Sequence, residues 1–249
     1  MYSLDFHATI SNCDANGRLK LCSALQMMQD CSEMWIDSEP AVQRCFGERG
    51  MAQLLVFRQV EVVRVPRCKE RLRVATSVYG MKPKFGFRNT FLYGADGAPC
   101  YRTWSMGAFV DRATGRLQAV DGATVAAMRL EERLEMDYRD RHIRVPAAGG
   151  AAVAPFRVMR ADIDYNRHAN NANYVRMGLE LLPEGFEVRG LRVEYRVPAR
   201  LGDVLEPTVY ASADGAVQTV VLARAGETSA LMEFTGGPAS ARPVPRPEF

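Results

Sequence analysis

Residues 162 to 174 read Asp162-Ile-Asp164-Tyr-Asn166-Arg-His168-Ala-Asn170-Asn171-Ala-Asn173-Tyr174. A carboxylate, an amide and an imidazole stand at i, i+2 and i+4. In extended backbone alternate side chains share a face, so this spacing predicts that Asp164, Asn166 and His168 converge on one point. His168 is one of three histidines in the chain and the one with such neighbours. A free imidazole titrates near pH 6.5, so it can accept a proton from water at neutral pH. Asp164 has three possible roles: orienting the imidazole, acting itself as base or nucleophile, or bracing a turn as an Asx aspartate. Asn166 either donates its amide to a carbonyl or occupies left-handed backbone in a loop. Asn170 and Asn171 lie where a helix begins. There, free N–H groups could stabilise an oxyanion and the side chains could cap the helix, two roles that do not exclude each other. Together these are parts for hydrolysing an acyl bond.

The elements around this segment occur twice. Asp14-Ala-Asn16-Gly-Arg18 precedes a helical pattern to about Ser38, in which Leu21, Leu25, Met28 and Trp35 form an apolar stripe. Asp164 to His168 precedes a shorter one to about Leu182, stopped by Pro183. A similar strand follows each helix, Val62-Val-Arg64-Val-Pro66 in one and Glu194-Tyr-Arg196-Val-Pro198 in the other. Further strands follow in each, broken by Ala-Asp-Gly turns at 95–97 and 213–215. The expected fold is a pseudo-symmetric pair of helix-wrapped antiparallel sheets. The divisions are a first unit at 1–120, a connector at 121–155, a second unit at 156–240 and a proline-rich tail at 241–249. The connector is read as a charged amphipathic helix over Ala123–Glu135 followed by a flexible Ala/Gly segment.

Composition narrows the function classes. The chain has 249 residues, of which 47% are hydrophobic and 24% charged, and a formal charge of +3. That excess is too small to argue for nucleic acid. The six cysteines all lie in the first 100 residues without CxxC or Cys/His spacing, which predicts free thiols and no metal site. The first residues lack a signal-peptide pattern, and no run approaches the ~20 apolar residues of a membrane span. The expectation is a cytoplasmic protein. Met27, Met28, Met34 and Trp35 are either plain core or the lining of an apolar pocket. Arg192, Arg196 and Arg200 are either a solvated strand face or a surface for an acidic partner.

The segment Asp164-x-Asn166-x-His168-x-Asn170-Asn171, followed by Tyr174, resembles the signature of acyl-ACP thioesterases. Trp104-Ser-Met-Gly-Ala-Phe-Val-Asp111 with Thr114-Gly-Arg-Leu117, Glu194-Tyr-Arg196 and Gly202-Asp203 add weaker matches in the same order. The resemblance implies an α+β fold, a tandem (double) hot-dog of two antiparallel sheets each wrapped around a long helix. It implies hydrolysis of fatty acyl-ACP to free fatty acid and holo-ACP, ending fatty-acid synthesis, with no cofactor and no metal. The partner is an acyl carrier protein with a phosphopantetheine-linked chain, and the enzyme is a monomer or homodimer. Asp164, Asn166 and His168 carry over as the catalytic set. The first unit has Arg18 where a histidine would fall and is expected to shape the acyl pocket. The family places an acid, and in plants a cysteine, where this chain has Pro198 and Ala199. Glu194 is the candidate substitute, although it lies about 13 Å away along a strand at ~3.3 Å per residue. An acyl-CoA thioesterase and a non-catalytic acyl-thioester-binding protein are the alternatives.

Overall fold

The computed structural model describes residues 1–238, so the proline-rich tail predicted at 241–249 lies outside the described residues. A short strand, β1 (Tyr2–His7), leads through a single 3-10 turn into the long helix α1 (Leu21–Ser38). Ala24, Leu25, Met28, Cys31 and Trp35 recur on one side of α1 and are buried. That stripe presses the helix onto the sheet. Pro40 sits in the first turn of a second helix, α2 (Pro40–Arg49), where its missing N–H costs nothing. Gly50, at φ 60°, ends that helix in left-handed backbone. Strands β2 (Met51–Val62), β3 (Arg71–Lys82), β4 (Phe85–Tyr93) and β5 (Pro99–Asp111) complete the first half. Sequence reading recognised β2 only at its last residue and missed α2.

The second half repeats the plan. Short strands β6 (Ala151–Ala152) and β7 (Phe156–Arg157) both pair with β9 (Val204–Ala211). Helix α4 (Asn171–Leu179) precedes β8 (Phe186–Tyr195), and β10 (Val217–Arg224) and β11 (Glu227–Pro238) follow β9. The first half runs β1-β3-β4-β5-β2 across the sheet and the second runs β8-β11-β10-β9-β6. The halves join edge to edge through β2 and β8. Phe57 pairs with Glu194 and Glu61 with Gly190, a register that a two-fold axis between the two strands maps onto itself. Neither half therefore leaves its inner edge unpaired. One core runs through both, from Leu25 and Met28 of α1 to Val193, Met232 and Phe234. This is the tandem hot-dog.

The connector differs from its sequence reading. The helix α3 covers Gly122–Ala127 only, and residues 128–150 run without helix across the outer face of the sheet. Polar side chains on that face hold it. Asn89 Oδ1 accepts from Leu134 N (3.0 Å), Gln59 Oε1 from Arg139 N (2.9 Å) and Glu194 Oε1 from Ile143 N (2.7 Å). Arg192 donates to the Asp140 carbonyl (2.7 Å) and pairs with Glu233 (2.8 Å). An unsatisfied buried backbone N–H is costly, so these side chains fix the path that helix propensity would have left free.

Candidate active site

The Asp164–His168 segment is a hydrogen-bonded turn and not an extended strand. Asp164 N donates to the His168 carbonyl (3.0 Å) and Arg167 N to the Asp164 carbonyl (3.0 Å). Asp164 Oδ1 accepts from Asn166 N (2.9 Å), and Arg167 adopts φ 65°. The first copy makes the same turn. Asp14 N donates to the Arg18 carbonyl (2.8 Å), Asp14 Oδ1 accepts from Asn16 N (2.9 Å), and Gly17 takes φ 67°. The turn is thus encoded by Asp-x-Asn itself, through the Asx geometry. Asp164, Asn166 and His168 nevertheless face one cavity of about 150 Å³. They converge because the turn folds back on itself, not because of strand alternation. No hydrogen bond joins the Asp164 carboxylate to the His168 ring among the described residues, so any effect of one on the other passes through charge.

Helix α4 begins at this cavity. Asn170 is its N-cap, with its side-chain oxygen accepting from Ala172 N (2.9 Å) and its carbonyl from Asn173 N (2.9 Å). Asn170 is committed to the cap and does not line the cavity. Asn171 does, and its N–H is the first-turn donor that this cap leaves over. Buried Asp162 braces the entry, pairing with Arg176 of α4 at 2.7 Å.

Glu194 does not reach the site. Strand alternation puts it on the outer face, where it is buried beneath the connector and paired with Arg196 at 3.1 Å. Its neighbour Tyr195 lines the cavity instead, as does Pro198. The strand ends at Tyr195, so Glu194 and Pro198 do not lie along one strand. The methionine reading is corrected as well. Met27 and Met28 are packed into the main core and Met34 is half exposed, and none of them lines the cavity. Trp35 borders a separate narrow apolar crevice with Phe46, Val78 and Phe109. Of the arginine stripe, Arg192 and Arg196 are already paired to Glu233 and Glu194.

Sequence reading missed three charged residues that the first half contributes. Glu33 of α1 lines the cavity and accepts from Tyr165 Oη (3.1 Å), linking the two halves across the Asp164–His168 turn. Burial pushes its carboxyl above the ordinary range, against the hydrogen bond from Tyr165 and the nearby charge of Arg88. Arg58 of β2 and Arg88 of β4 line the cavity from the sheet side and are only 3% and 6% exposed. Desolvation lowers both, and pushes Arg88 down to about 10. The signal for the two arginines was present in the sequence. Each stands mid-strand at the parity of buried neighbours, Arg58 with Val60 and Arg88 with Thr90 and Leu92. Two-fold symmetry also shows how the two copies differ. The equivalent place in the first copy has Arg18 for His168 and Leu21 for Asn171, and Arg18 is tied to Glu187 at 2.7 Å. Among the described residues no cluster of three or more His, Cys, Asp or Glu side chains is arranged to hold a metal ion, and no helix is long and apolar enough to cross a membrane.

The chain has recognisable relatives. Residues 1–128 match the model of the acyl-ACP thioesterase N-terminal domain and residues 148–234 that of the acyl-ACP thioesterase C-terminal domain. An acyl-ACP thioesterase from Bacteroides thetaiotaomicron is similar in structure, with a TM-score of 0.83 at 21% identity over 94% of this chain and 96% of that one. A 12:0-ACP thioesterase from Umbellularia californica has a TM-score of 0.81 at 16% identity over 95% and 97%. At such identities these two show the shared fold. No curated protein sequence matches the chain.

Proposed function

The chain belongs to the acyl-ACP thioesterase family and hydrolyses fatty acyl-ACP, and we propose that it does so at the turn Asp164–His168. One observation supports this placement above the others: Asp164, Asn166, His168 and Asn171 line a single cavity at the start of α4. In the proposed reaction His168 takes a proton from water as the oxygen attacks the thioester carbonyl, a contribution of about 10²–10⁴ in rate. The Asn171 N–H and the Asn166 amide carry the charge of the tetrahedral oxyanion, at about 3 kcal/mol per donor. Collapse breaks the C–S bond, and the imidazolium returns its proton to the departing thiolate. Asp164 favours the imidazolium through its negative charge. Glu33, acting through Tyr165, is a positioning residue for the turn. The products are free fatty acid and holo-ACP, so the reaction ends chain growth.

Location in the cytoplasm fits the six free cysteines. Because both hot-dog halves are present in one chain, a single copy holds a complete site, and a monomer suffices for activity. The test is thiol release from acyl-ACPs of several chain lengths, with matched acyl-CoAs measuring carrier preference. Wild type should turn over, and His168→Ala should lose about 10²–10⁴ in kcat/KM with an unchanged melting temperature. Full activity in His168→Ala would move the chemistry away from this turn.

A further inference from the structure

Arg58 and Arg88 are two buried cations without a salt-bridge partner; Glu33 acts on Arg88 through the cavity but does not contact it. Neither is within 4.0 Å of a carboxylate among the described residues. Arg88 donates through Nη1 to the Ser32 carbonyl (3.0 Å) and lies on the Trp35 ring at 4.4 Å, while its Nη2 has no partner. The Nε of Arg58 is buried without a partner, and so is Ser229 Oγ, which borders the same cavity. Glu33 shares the cavity, but its hydrogen bond comes from Tyr165 and not from either arginine. Leaving a buried charge unpaired costs several kcal/mol, a cost that proteins normally avoid.

The fold does not require these side chains. Arg58 and Arg88 both pair with Ser105, forming one row across β2, β5 and β4, about 10 Å from end to end at ~4.8 Å per strand. The two-fold axis maps that row onto Leu191, Phe234 and Gln218 in β8, β11 and β10. Leu191 and Phe234 are fully buried there. The place of Arg58 is therefore filled by a leucine in the other half and the place of Arg88 by an uncharged glutamine, so the architecture requires neither cation. Burying charge where a leucine serves the fold equally well points to a ligand.

We propose that Arg58 and Arg88 form a carboxylate-binding site in the floor of the cavity. A guanidinium presents parallel N–H donors that match a planar carboxylate. A cavity of about 150 Å³ is large enough to take a small organic ligand, which suits a carboxylate on a short chain. Two sources provide that group. One is the acid that thioester hydrolysis releases here, a source that rests on the function proposed above. The other is a carboxylate at the far end of the acyl chain, which would make ω-carboxyacyl thioesters substrates.

The test is a binding titration that needs no turnover. Hexanoate, adipate and methyl hexanoate are added to the full-length protein, and Trp35 emission is followed in a Trp104→Phe background. Hexanoate or adipate should bind about tenfold or more tighter than the uncharged ester. Arg58→Gln and Arg88→Gln should each weaken carboxylate binding about tenfold and leave ester binding within about twofold. Tighter binding of hexanoate than adipate assigns the site to the released acid, and the reverse assigns it to the chain end. Equal binding of ester and carboxylates, or no carboxylate binding, overturns the proposal. If either variant fails to melt cooperatively, the wild-type comparison of ester with carboxylate still decides. Wild-type protein that releases thiol but binds no carboxylate would refute this site alone. Binding without thiol release would refute the hydrolytic reading alone.

Discussion

Replacing Asp164 by asparagine separates two roles that the turn combines. The side chain braces the turn through Oδ1, which accepts from Asn166 N at 2.9 Å, and it brings a negative charge to the cavity. Asparagine keeps the oxygen acceptor and removes the charge. The hydrogen bond from Asp164 N to the His168 carbonyl sets the two residues opposite each other, with Cα atoms about 5.5 Å apart as in an antiparallel pair. Taking a similar distance between carboxylate and imidazolium, and an effective dielectric of about 20–40 for this half-exposed place, the attraction is about 1.5–3 kcal/mol. At 1.36 kcal/mol per decade, its loss lowers kcat/KM about 10- to 150-fold. The first half supplies a control within the same molecule. Asp14 makes the same bond to Asn16 N at 2.9 Å, plus a second to Arg18 N at 2.9 Å, away from His168. Asp14→Asn should leave activity within about twofold. Alanine at 164 or 14 should lower stability by about 0.5–1.5 kcal/mol per bond lost, and more at 14 than at 164. Thiol release gives the rates and denaturant midpoints give the stabilities. Equal loss of activity in Asp14→Asn and Asp164→Asn would show that turn integrity, and not charge, carries the effect. Unchanged activity in Asp164→Asn would remove the charge from the mechanism.

Three further outcomes follow from the packing. The carboxyl of Glu33 is raised by burial, so its contribution to stability is complete below the unfolded value near 4.5 and is lost as pH rises through the higher folded value. Glu33→Gln should therefore gain stability over wild type as pH climbs from 4.5, and parallel stability curves for the two would contradict the burial argument. Glu194→Ala leaves the Ile143 N–H without its acceptor and should cost about 1–3 kcal/mol, while activity per folded molecule stays within about twofold. A far larger loss of rate would return Glu194 to the chemistry. A Cβ on Gly107 would collide with Gln53 Nε2 and lie 2.7 Å from its Cγ, so Gly107→Ala should destabilise by about 1–3 kcal/mol. Adding Gln53→Ala should restore most of the loss, and no rescue in the chemical-denaturation midpoint would place the strain elsewhere.

Sequence alone was enough for whatever is encoded by near neighbours. The Asx aspartate of Asp-x-Asn, the α1 stripe and the link from the His168 segment to an Asn-capped helix each depend on residues within a few positions of one another, although the extended backbone expected at 164–168 is a turn. The proline-based match of the two strand ends was off by one. The loop N–H groups of Leu19 and Ala169 donate to the carbonyls of Pro66 and Ala199, so these two residues are the equivalent pair. What decides the site is long-range. Local spacing does not reveal that the β2–β8 junction brings Glu33 of one half to Tyr165 of the other, or that Glu194 faces a connector some fifty residues away. It does not distinguish a methionine that fills the core from one that lines a cavity, since both sit on the same helix. Nor does it show that Arg58 and Arg88 share a row with Ser105, because that juxtaposition exists only once strand register is set. Turn and cap chemistry are written in a few adjacent residues, whereas convergence of side chains depends on sheet pairing and burial, which the whole chain determines together.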